Sequence, residues 1–241
     1  MKKVIVAYSS NSIAARECTI GVFRYVNAGR KWELQILDGP DALTPDIVAR
    51  AEASGVDGVL TGMREETPGY RALVRSKLAV ILNNFPPAAP PPENGRLAVL
   101  HNDDRAIGQV GARYLRARGA FRSYAFVPTE AKTSWSTYRQ RGFRLELASH
   151  GIVPATFRNG RQDLLAWLRA LPKPAAVMAA NDKLGVQIVE CCRRLRLSVP
   201  GQVAVLGVDN DELFCNATSP TLSAAEPSFF TSSSQTIGFA S

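Results

Sequence analysis

The chain has 241 residues, of which 46% are hydrophobic and 21% charged, and its formal net charge at pH 7 is +8. This length allows one large domain or two modest ones, and the composition is that of a folded globular protein rather than a disordered or fibrous one. No apolar stretch reaches the length of a membrane span, and the apolar part of MKKVIVAYSSNS is too short for a secretory signal. These observations predict a cytoplasmic protein that makes no membrane contact.

The excess of positive charge suggests a nucleic-acid partner. However, the arginines are scattered, and their densest clusters, at 113–122 and 193–196, lie at the ends of apparent amphipathic helices. Charge in such places is usually solvated or stabilises the helix C-terminus. The sequence has no zinc-finger spacing, RNA-binding signature or convincing helix-turn-helix pattern. Direct DNA binding by this chain stays open as an alternative, and it predicts an affinity for duplex DNA that falls steeply with salt.

The four cysteines and two histidines show no metal-ligand spacing. Cys191 and Cys192 are adjacent, so they point to different sides of a helix. Reduced thiols in the core or at the surface are the simplest interpretation. We therefore expect neither a metal nor another cofactor.

Eight short apolar runs alternate with segments of helical periodicity. Ile107, Val110, Gly111 and Tyr114, for example, share one helix face. Apolar runs rich in Val, Ile and Leu, in which polar residues do not alternate with apolar ones, are typical of parallel strands buried on both faces. Because these strands are separated by helices along the chain, the sequence indicates an α/β fold with right-handed crossovers. The runs lie at 4–8, 33–37, 55–60, 78–82, 97–100, 124–127, 175–180 and 203–208.

Eight strands are more than one doubly wound sheet of ordinary size would hold, so the sequence predicts two sheets and two lobes. The proline-rich stretch at 85–94 is interpreted as an exposed loop between strands rather than a recognition motif.

Acidic, amide and hydroxyl side chains gather directly after five of the predicted strands. Ligands of parallel α/β sheets bind beyond the carboxyl ends of the strands. Any one polar group there is explained as a turn or a helix N-cap, but the fold would bring all five groups to a common cleft. The groups lie at 9–16, 83–85, 101–104, 181–183 and 209–212.

The residue types in this predicted cleft suit a sugar. Carboxylates and amides form paired hydrogen bonds with neighbouring hydroxyls, an arginine such as Arg139 adds a charged fork, and an aromatic ring such as Trp135 covers the apolar face of a sugar. The sequence has no phosphate-binding or nucleophile-elbow motif. Asp209 and Asp211 are two residues apart and face opposite ways on an extended chain, which makes them a poor pair for glycoside cleavage. Binding rather than catalysis is therefore expected.

Several segments together resemble the Lac-repressor-like, periplasmic-binding-protein type I sugar-sensing domains, over roughly residues 4 to 226. Within that superfamily the sequence looks closest to the effector domain of the xylose-operon regulators, in which the sensor is fused to a C-terminal AraC-type DNA-binding domain. Trp135 with Arg139, the ending GVDNDEL and Arg16 carry this closer likeness. The resembling segments are HNDDRAIGQVGARYLRARG, SWSTYRQRGFRLELASHG, AVMAAND with the helix after it, and VAVLGVDNDELFCNATSPTLSA.

The resemblance implies two similar doubly wound parallel-sheet lobes with a ligand cleft between them. The N-terminal lobe would comprise 1–119 plus 223–241, and the C-terminal lobe 120–222. The domain would bind a small sugar effector, a pentose such as D-xylose. It would form a homodimer and pass lobe closure to a DNA-binding domain outside this chain. The final residues QTIGFAS would begin the helix that follows the last crossover, so that the first lobe would be truncated there, and the Ser/Thr-rich stretch before them is interpreted as a loop or a poorly ordered tail.

The resemblance also implies ligand-binding side chains in both lobes. The set comprises Arg139, Asn181 and Asp209 on sugar hydroxyls, Asp103 nearby, Trp135 against the ring, and Arg16, Ser10 and Asn11 from the first lobe.

Purely structural roles remain open for the same residues. Asp209 could be a turn residue, and Asn181 and Asp103 could be helix N-caps. Trp135 could belong to the core or to a dimer surface, and Arg139 could pair with Asp209 without any ligand. A transport-type solute receptor of the same fold and a sugar-processing enzyme remain the alternative functions.

Overall fold

Two groups of strands form two sheets in the computed structural model, which describes residues 1–83, 96–100, 102–226 and the backbone of 238–240. Contacts divide the chain into two units, Met1–His101 and Asn102–Ser241. The two-lobed α/β fold is thus confirmed, while the cleft between the lobes stays a prediction. The proline-rich stretch at 85–94 lies outside the described residues.

The first unit is a parallel sheet with helices and one 3-10 turn at Pro40–Ala42. Its strands are β1 (Lys2–Ala7), β2 (Trp32–Ile36), β3 (Gly58–Thr61), β4 (Ala79–Asn83) and β5 (Leu97–Leu100). Its helices are α1 (Ile13–Asn27), α2 (Pro45–Ala53) and α3 (Tyr70–Arg75). The strand order is β2-β1-β3-β4-β5, with every pairing parallel.

The core of the first unit lies on its central strands. Ile5, Val59 and Val80 are buried there together with side chains from α2 and α3. β2 and β5 are only exposed or half-buried. The prediction of strands buried on both faces is wrong for these two, because they lie at the sheet edges, where the helices cover less of each face.

The second unit repeats the same winding with more helix. Its strands are β6 (Ser123–Val127), β7 (Ala155–Thr156), β8 (Ala175–Ala179), β9 (Val203–Val208), β10 (Ser223–Glu226) and β11 (Gly238–Ala240). Its helices are α4 (Asp104–Arg118), α5 (Ser134–Ala148), α6 (Leu164–Ala170), α7 (Asp182–Arg194) and α8 (Glu212–Cys215). The order β7-β6-β8-β9-β10 matches that of the first sheet, and β11 is added at the edge as the one antiparallel strand among the described residues.

Both faces of the second sheet are covered, so alternate residues of one strand enter different cores. Val177 of β8 packs on the face that contacts α6 and α7, whereas its neighbour Met178 packs on the face that contacts α4 and α5. All five residues of β8 are buried. For this central strand the prediction of burial on both faces is confirmed.

The boundaries of the units differ from the predicted lobes. Helix α4 packs along α5 and belongs to the second unit, whereas the sequence prediction gave it to the first lobe. Residues 223–226 also lie in the second sheet, where Ala224 pairs with Gly207 of β9. Periodicity shows that a helix is amphipathic but not which apolar surface will receive it, so this division could not be read from the pattern.

The expected helix at 235–241 is wrong for Gly238–Ala240, which form β11. In β11, Ala240 pairs with Ala224 of β10 in antiparallel register. This pairing satisfies backbone groups that β10 would otherwise expose along its free edge. The rest of 227–241, including the Ser/Thr-rich stretch, lies outside the described residues. None of the described helices is long and apolar enough to span a bilayer.

Candidate functional site

Polar groups converge at the carboxyl edge of the second sheet, as the sequence predicted for this part of the chain. Ala180 and Asn181 directly follow β8, and Asp209 directly follows β9. Because β8 and β9 are parallel neighbours, their ends emerge side by side. Arg139 reaches this edge from α5.

Arg139 is the centre of the site. Its side chain is buried, and its Nε donates to Oδ1 of Asp104 at 2.9 Å. Its Nη1 donates to the carbonyl oxygen of Ala180 at 2.7 Å and to Oδ1 of Asp209 at 3.2 Å. One guanidinium thus joins α4, α5, β8 and β9, and it holds two carboxylates in defined directions.

Two glycines allow α4 to approach α5 closely enough for this contact. A Cβ atom on Gly108 would collide with the carbonyl oxygen of Arg139, and a Cβ atom on Gly142 would collide with that of Arg105. Backbone therefore packs against backbone where the helices cross. This close approach brings Asp104, at the start of α4, beside Arg139 near the start of α5.

Trp135 lies one helical turn before Arg139, on the same face of α5. The Arg139 guanidinium carbon is 4.9 Å from the centroid of the indole ring, which is a cation–π distance. The ring is half-buried and packs against the α4–α5 core. Trp135 therefore orients the guanidinium, and its apolar ring borders the polar groups of the site. We call Arg139, Asp104, Asp209 and Trp135 the arginine cluster.

Asp209 combines a functional position with an unusual backbone. Its φ is 106° and that of Asn210 is 55°, so two successive non-glycine residues occupy the left-handed region. The Asp209 side chain keeps 21% exposure although it is bonded to Arg139. Burial raises the pKa of the Asp209 carboxyl, and the Arg139 guanidinium opposes that rise. A partly accessible carboxylate beside a buried arginine can receive hydroxyl groups of a ligand.

Asn181 and Asp103 are both helix N-caps, as the structural alternative predicted. Oδ1 of Asn181 accepts from the N–H of Leu184 at 3.1 Å, and Oδ1 of Asp103 accepts from the N–H of Ala106 at 2.9 Å. Asn181 lies next to Ala180 and hence beside the arginine cluster. Asp103 is exposed, and the carboxylate that reaches Arg139 belongs to its neighbour Asp104.

The residues predicted from the first lobe lie together in the first unit. Nη1 of Arg16 donates to the carbonyl oxygen of Ser10 at 3.0 Å, and the Ser9 hydroxyl donates to Oδ1 of Asn11 at 2.6 Å. These groups follow β1, at the carboxyl edge of the first sheet. Their role toward a ligand stays a prediction.

Asp104 was not among the predicted site residues, although the pattern contained a signal for it. Asp104 precedes Ile107, Gly108 and Gly111 by three, four and seven residues, so it lies on the buried face of α4. Asp103 falls outside that face. A carboxylate on the apolar face of a helix requires a partner, and a buried arginine provides it.

Asp209 and Asp211 do not form a pair suited to acid–base chemistry. Asp209 is directed at Arg139, whereas the buried Asp211 accepts the N–H of Leu213 at 3.2 Å and caps α8. The predicted difference in direction is therefore present, but it arises from a turn with positive φ at Asp209 and Asn210 rather than from an extended chain.

The protein-family model described as "Periplasmic binding protein-like domain" matches residues 112–232. This range is half of the chain and includes Trp135, Arg139 and Asp209. This chain belongs to the periplasmic binding protein-like domain family. The predicted resemblance to Lac-repressor-like, periplasmic-binding-protein type I domains is thereby confirmed.

This periplasmic binding protein-like domain is similar to the xylose operon regulatory protein of Escherichia coli (strain K12). The two are 22% identical over 232 residues, which cover 88% of this chain and 55% of that protein. The chain thus spans about half the length of this curated relative.

Solved structures share the fold of this periplasmic binding protein-like domain. A xylose-binding transcription activator superimposes with a TM-score of 0.75 at 20% identity, covering 94% of this chain and 59% of the other. A periplasmic binding protein/LacI transcriptional regulator from Alkaliphilus metalliredigens QYMF, complexed with D-xylulofuranose, gives a TM-score of 0.65 at 13% identity, covering 95% and 85%. At these identities the likeness shows the fold.

Proposed function

We propose that this chain is the effector-binding domain of a bacterial transcription regulator and that its ligand is a small sugar, a pentose such as D-xylose. The observation that carries the proposal is the arginine cluster at the carboxyl edge of the second sheet. There Arg139, Asp209 and Trp135 provide a charged donor, a partly accessible acceptor and an apolar ring. The named relatives, a xylose operon regulator and a xylose-binding activator, support the choice of sugar.

The physical basis is complementarity to vicinal hydroxyl groups. A sugar hydroxyl both donates and accepts, so it can donate a hydrogen bond to a carboxylate while an adjacent guanidinium donates one to its oxygen. The face of an aromatic ring suits the C–H groups of a sugar. Asp209 is bonded to Arg139 and Asp211 caps α8, so the two do not form a pair for acid–base chemistry, which supports binding without turnover.

Signal transmission belongs to the same proposal. Sugar binding would favour a closed arrangement of the two units, which a DNA-binding domain outside this chain would sense as a shift of population. Homodimer formation stays a prediction from the resemblance, and a cytoplasmic location stays a prediction from the sequence.

The test is isothermal titration calorimetry of the chain with D-xylose, L-arabinose, D-ribose and D-glucose. We expect saturable binding of one pentose and its loss in Asp209→Ala. Glu212→Ala is the matched control, because Glu212 is an exposed acid three residues further along the same segment. No heat with any sugar, from folded protein, would contradict the proposal, and chemical change of the sugar would replace it with an enzyme.

A further inference from the structure

Asp182 has a buried carboxyl group at a helix start, where carboxylates usually face water. It is the first residue of α7, directly after the N-cap Asn181. An acid in this position normally stabilises the helix N-terminus from the surface. Asp182, however, is only 1% exposed, so its carboxyl group is turned into the protein. Burying such a group is costly unless it makes a specific contact.

The contact is with the segment that follows Asp209. Oδ2 of Asp182 accepts the backbone N–H of Asp211 at 2.7 Å. Oδ1 is buried and accepts no N–H or O–H hydrogen bond from the described residues, while the Cys215 thiol is close enough to the carboxyl group to interact with it. On this side Gly207 of β9 packs so closely that a Cβ atom there would collide with Oδ1. The absence of a side chain at Gly207 thus provides the space that the carboxyl group occupies.

The segment held in this way has a strained backbone. Asp209 and Asn210 are the two successive residues in the left-handed region, and such conformations persist only where the surroundings fix them. The N–H of Asp209 donates to the carbonyl oxygen of Ala225 at 2.9 Å, which anchors the first end of the turn. The bond from Asp211 to Asp182 anchors the other end. Between these anchors the Asp209 carboxylate is directed at Arg139.

We propose that Asp182 is a positioning residue: its carboxyl group holds the 209–211 turn in the conformation that presents Asp209 to Arg139 and to the ligand. The ligand part of this proposal rests on the proposed function, whereas the conformation of the turn does not. Asp182 itself acts only through Asp209.

A neutral group at this position should hold the turn as well. Burial raises the pKa of Asp182 to about 7, and the carboxylates of Asp209 and Asp211 add to the rise, while the Asp211 N–H and the Cys215 thiol oppose it. This raised pKa favours the uncharged carboxyl group below neutral pH, so an uncharged acceptor should be compatible with the site. Asp182→Asn keeps such an acceptor oxygen, whereas Asp182→Ala removes it.

The first test needs no ligand: it measures amide hydrogen exchange at Asp211 by NMR, near pH 6. We expect exchange to be about tenfold faster or more in Asp182→Ala, because a hydrogen bond to a carboxyl group is lost, and to stay within about threefold of the original protein in Asp182→Asn. Asp163→Ala is the matched control, since Asp163 caps α6 through the N–H of Ala166 and the exchange of Asp211 should not respond to it. Unchanged exchange at Asp211 in folded Asp182→Ala would overturn the proposal.

The second test titrates the same variants with D-xylose by calorimetry. We expect Asp182→Ala to weaken binding by about tenfold or more and Asp182→Asn to restore it to within about threefold. Faster exchange at Asp211 without weaker sugar binding in Asp182→Ala would overturn the role of Asp182 toward the ligand. An equal loss of sugar affinity in Asp182→Ala and Asp182→Asn would also overturn it. If the original protein binds no sugar, the proposed function fails and the exchange result alone decides whether Asp182 holds the turn.

Gly207→Ala provides an independent variant if Asp182→Ala does not fold. It keeps the carboxyl group but displaces it, since the added Cβ would occupy the place of Oδ1. We expect the same faster exchange at Asp211 and the same weaker binding. Wild-type values for both in Gly207→Ala would overturn the proposal.

Discussion

At the scale of the residue, a single buried guanidinium organises the polar groups of the second unit. Arg139 is 4% exposed and donates to Asp104, Asp209 and the carbonyl oxygen of Ala180. Without it, two carboxylates in a poorly solvated place would lose their contact with the guanidinium. Removing one member of such a group of buried charges destabilises the protein by more than the intact group stabilises it. The reason is that the remaining charges stay buried without water around them.

Arg139→Met should therefore lower the free energy of unfolding by about 3 kcal/mol. Arg144→Met is the control on the same helix: Arg144 is exposed, and its replacement should change the stability by less than about 0.5 kcal/mol. Urea unfolding followed by circular dichroism measures both values. Similar losses in the two variants would contradict the role assigned to the buried arginine.

Asp182 should make the stability of the protein depend on pH. Its folded pKa of about 7 lies above the ordinary value of 3.8 for an aspartate, so this group contributes stability that is fully present below pH 3.8 and is lost as the pH rises through about 7. Between pH values of about 5.5 and 8.5 the contribution should fall by roughly 2 kcal/mol. Asp182→Asn should remove this fall, which urea unfolding at the two pH values would detect. An equal pH dependence in both proteins would contradict the assignment.

At the scale of the element, the close packing of α4 on α5 brings the two halves of the site together. Gly108 and Gly142 lie at the crossing, each against a backbone carbonyl of the other helix. A larger residue at either position would push the helices apart and would separate Asp104 from Arg139. Glycine weakens a helix relative to alanine, so its presence at both positions reflects the space requirement.

Gly142→Ala should be destabilising although alanine is the better helix former. Overpacking costs about 1–3 kcal/mol and outweighs a gain in helix propensity of at most about 1 kcal/mol. Gly21→Ala in α1 is the matched control: a Cβ atom there would meet no heavy atom within 4 Å, so this variant should be stabilised by about 0.5–1 kcal/mol. Thermal unfolding of both variants measures the difference, and stabilisation by Gly142→Ala would show that the helices do not need the close approach.

At the scale of the whole molecule, each unit has a core of its own. The two clusters of the second unit lie on opposite faces of its sheet, and all their residues come from 107–225. The first unit has a separate cluster on its central strands. A unit that buries both faces of its own sheet can fold alone.

The fragment 102–241 should therefore fold by itself and unfold cooperatively in urea. Fragment 120–241 is the control, because it begins at the lobe boundary predicted from the sequence and lacks α4. Without α4, one face of the sheet and the Arg139 side chain would be exposed to solvent. Circular dichroism and the dispersion of amide signals in NMR spectra would compare them. Equal cooperativity in both fragments would show that α4 is not part of the second unit.

The amino-acid sequence by itself determined the α/β class, the two lobes and the bounds of most strands. Val203–Val208 and Leu97–Leu100, for example, coincide with predicted apolar runs. Apolar runs and helical periodicity are local properties, so they can be read along the chain. The short strands β7, β10 and β11 were missed, because such short strands are defined by pairing with a neighbour rather than by their own composition.

The sequence also placed Arg139, Asp209 and Trp135 in one site, from residue chemistry and family resemblance. Only the tertiary structure decided that Asp104 rather than Asp103 meets the arginine, that α4 belongs to the second unit, and that Asp182 reaches Asp211. These features depend on how closely α4 approaches α5 and on a turn with positive φ at two residues that are not glycine. Both features result from packing between segments that are far apart in the chain. A local pattern of side chains is therefore not sufficient to predict them.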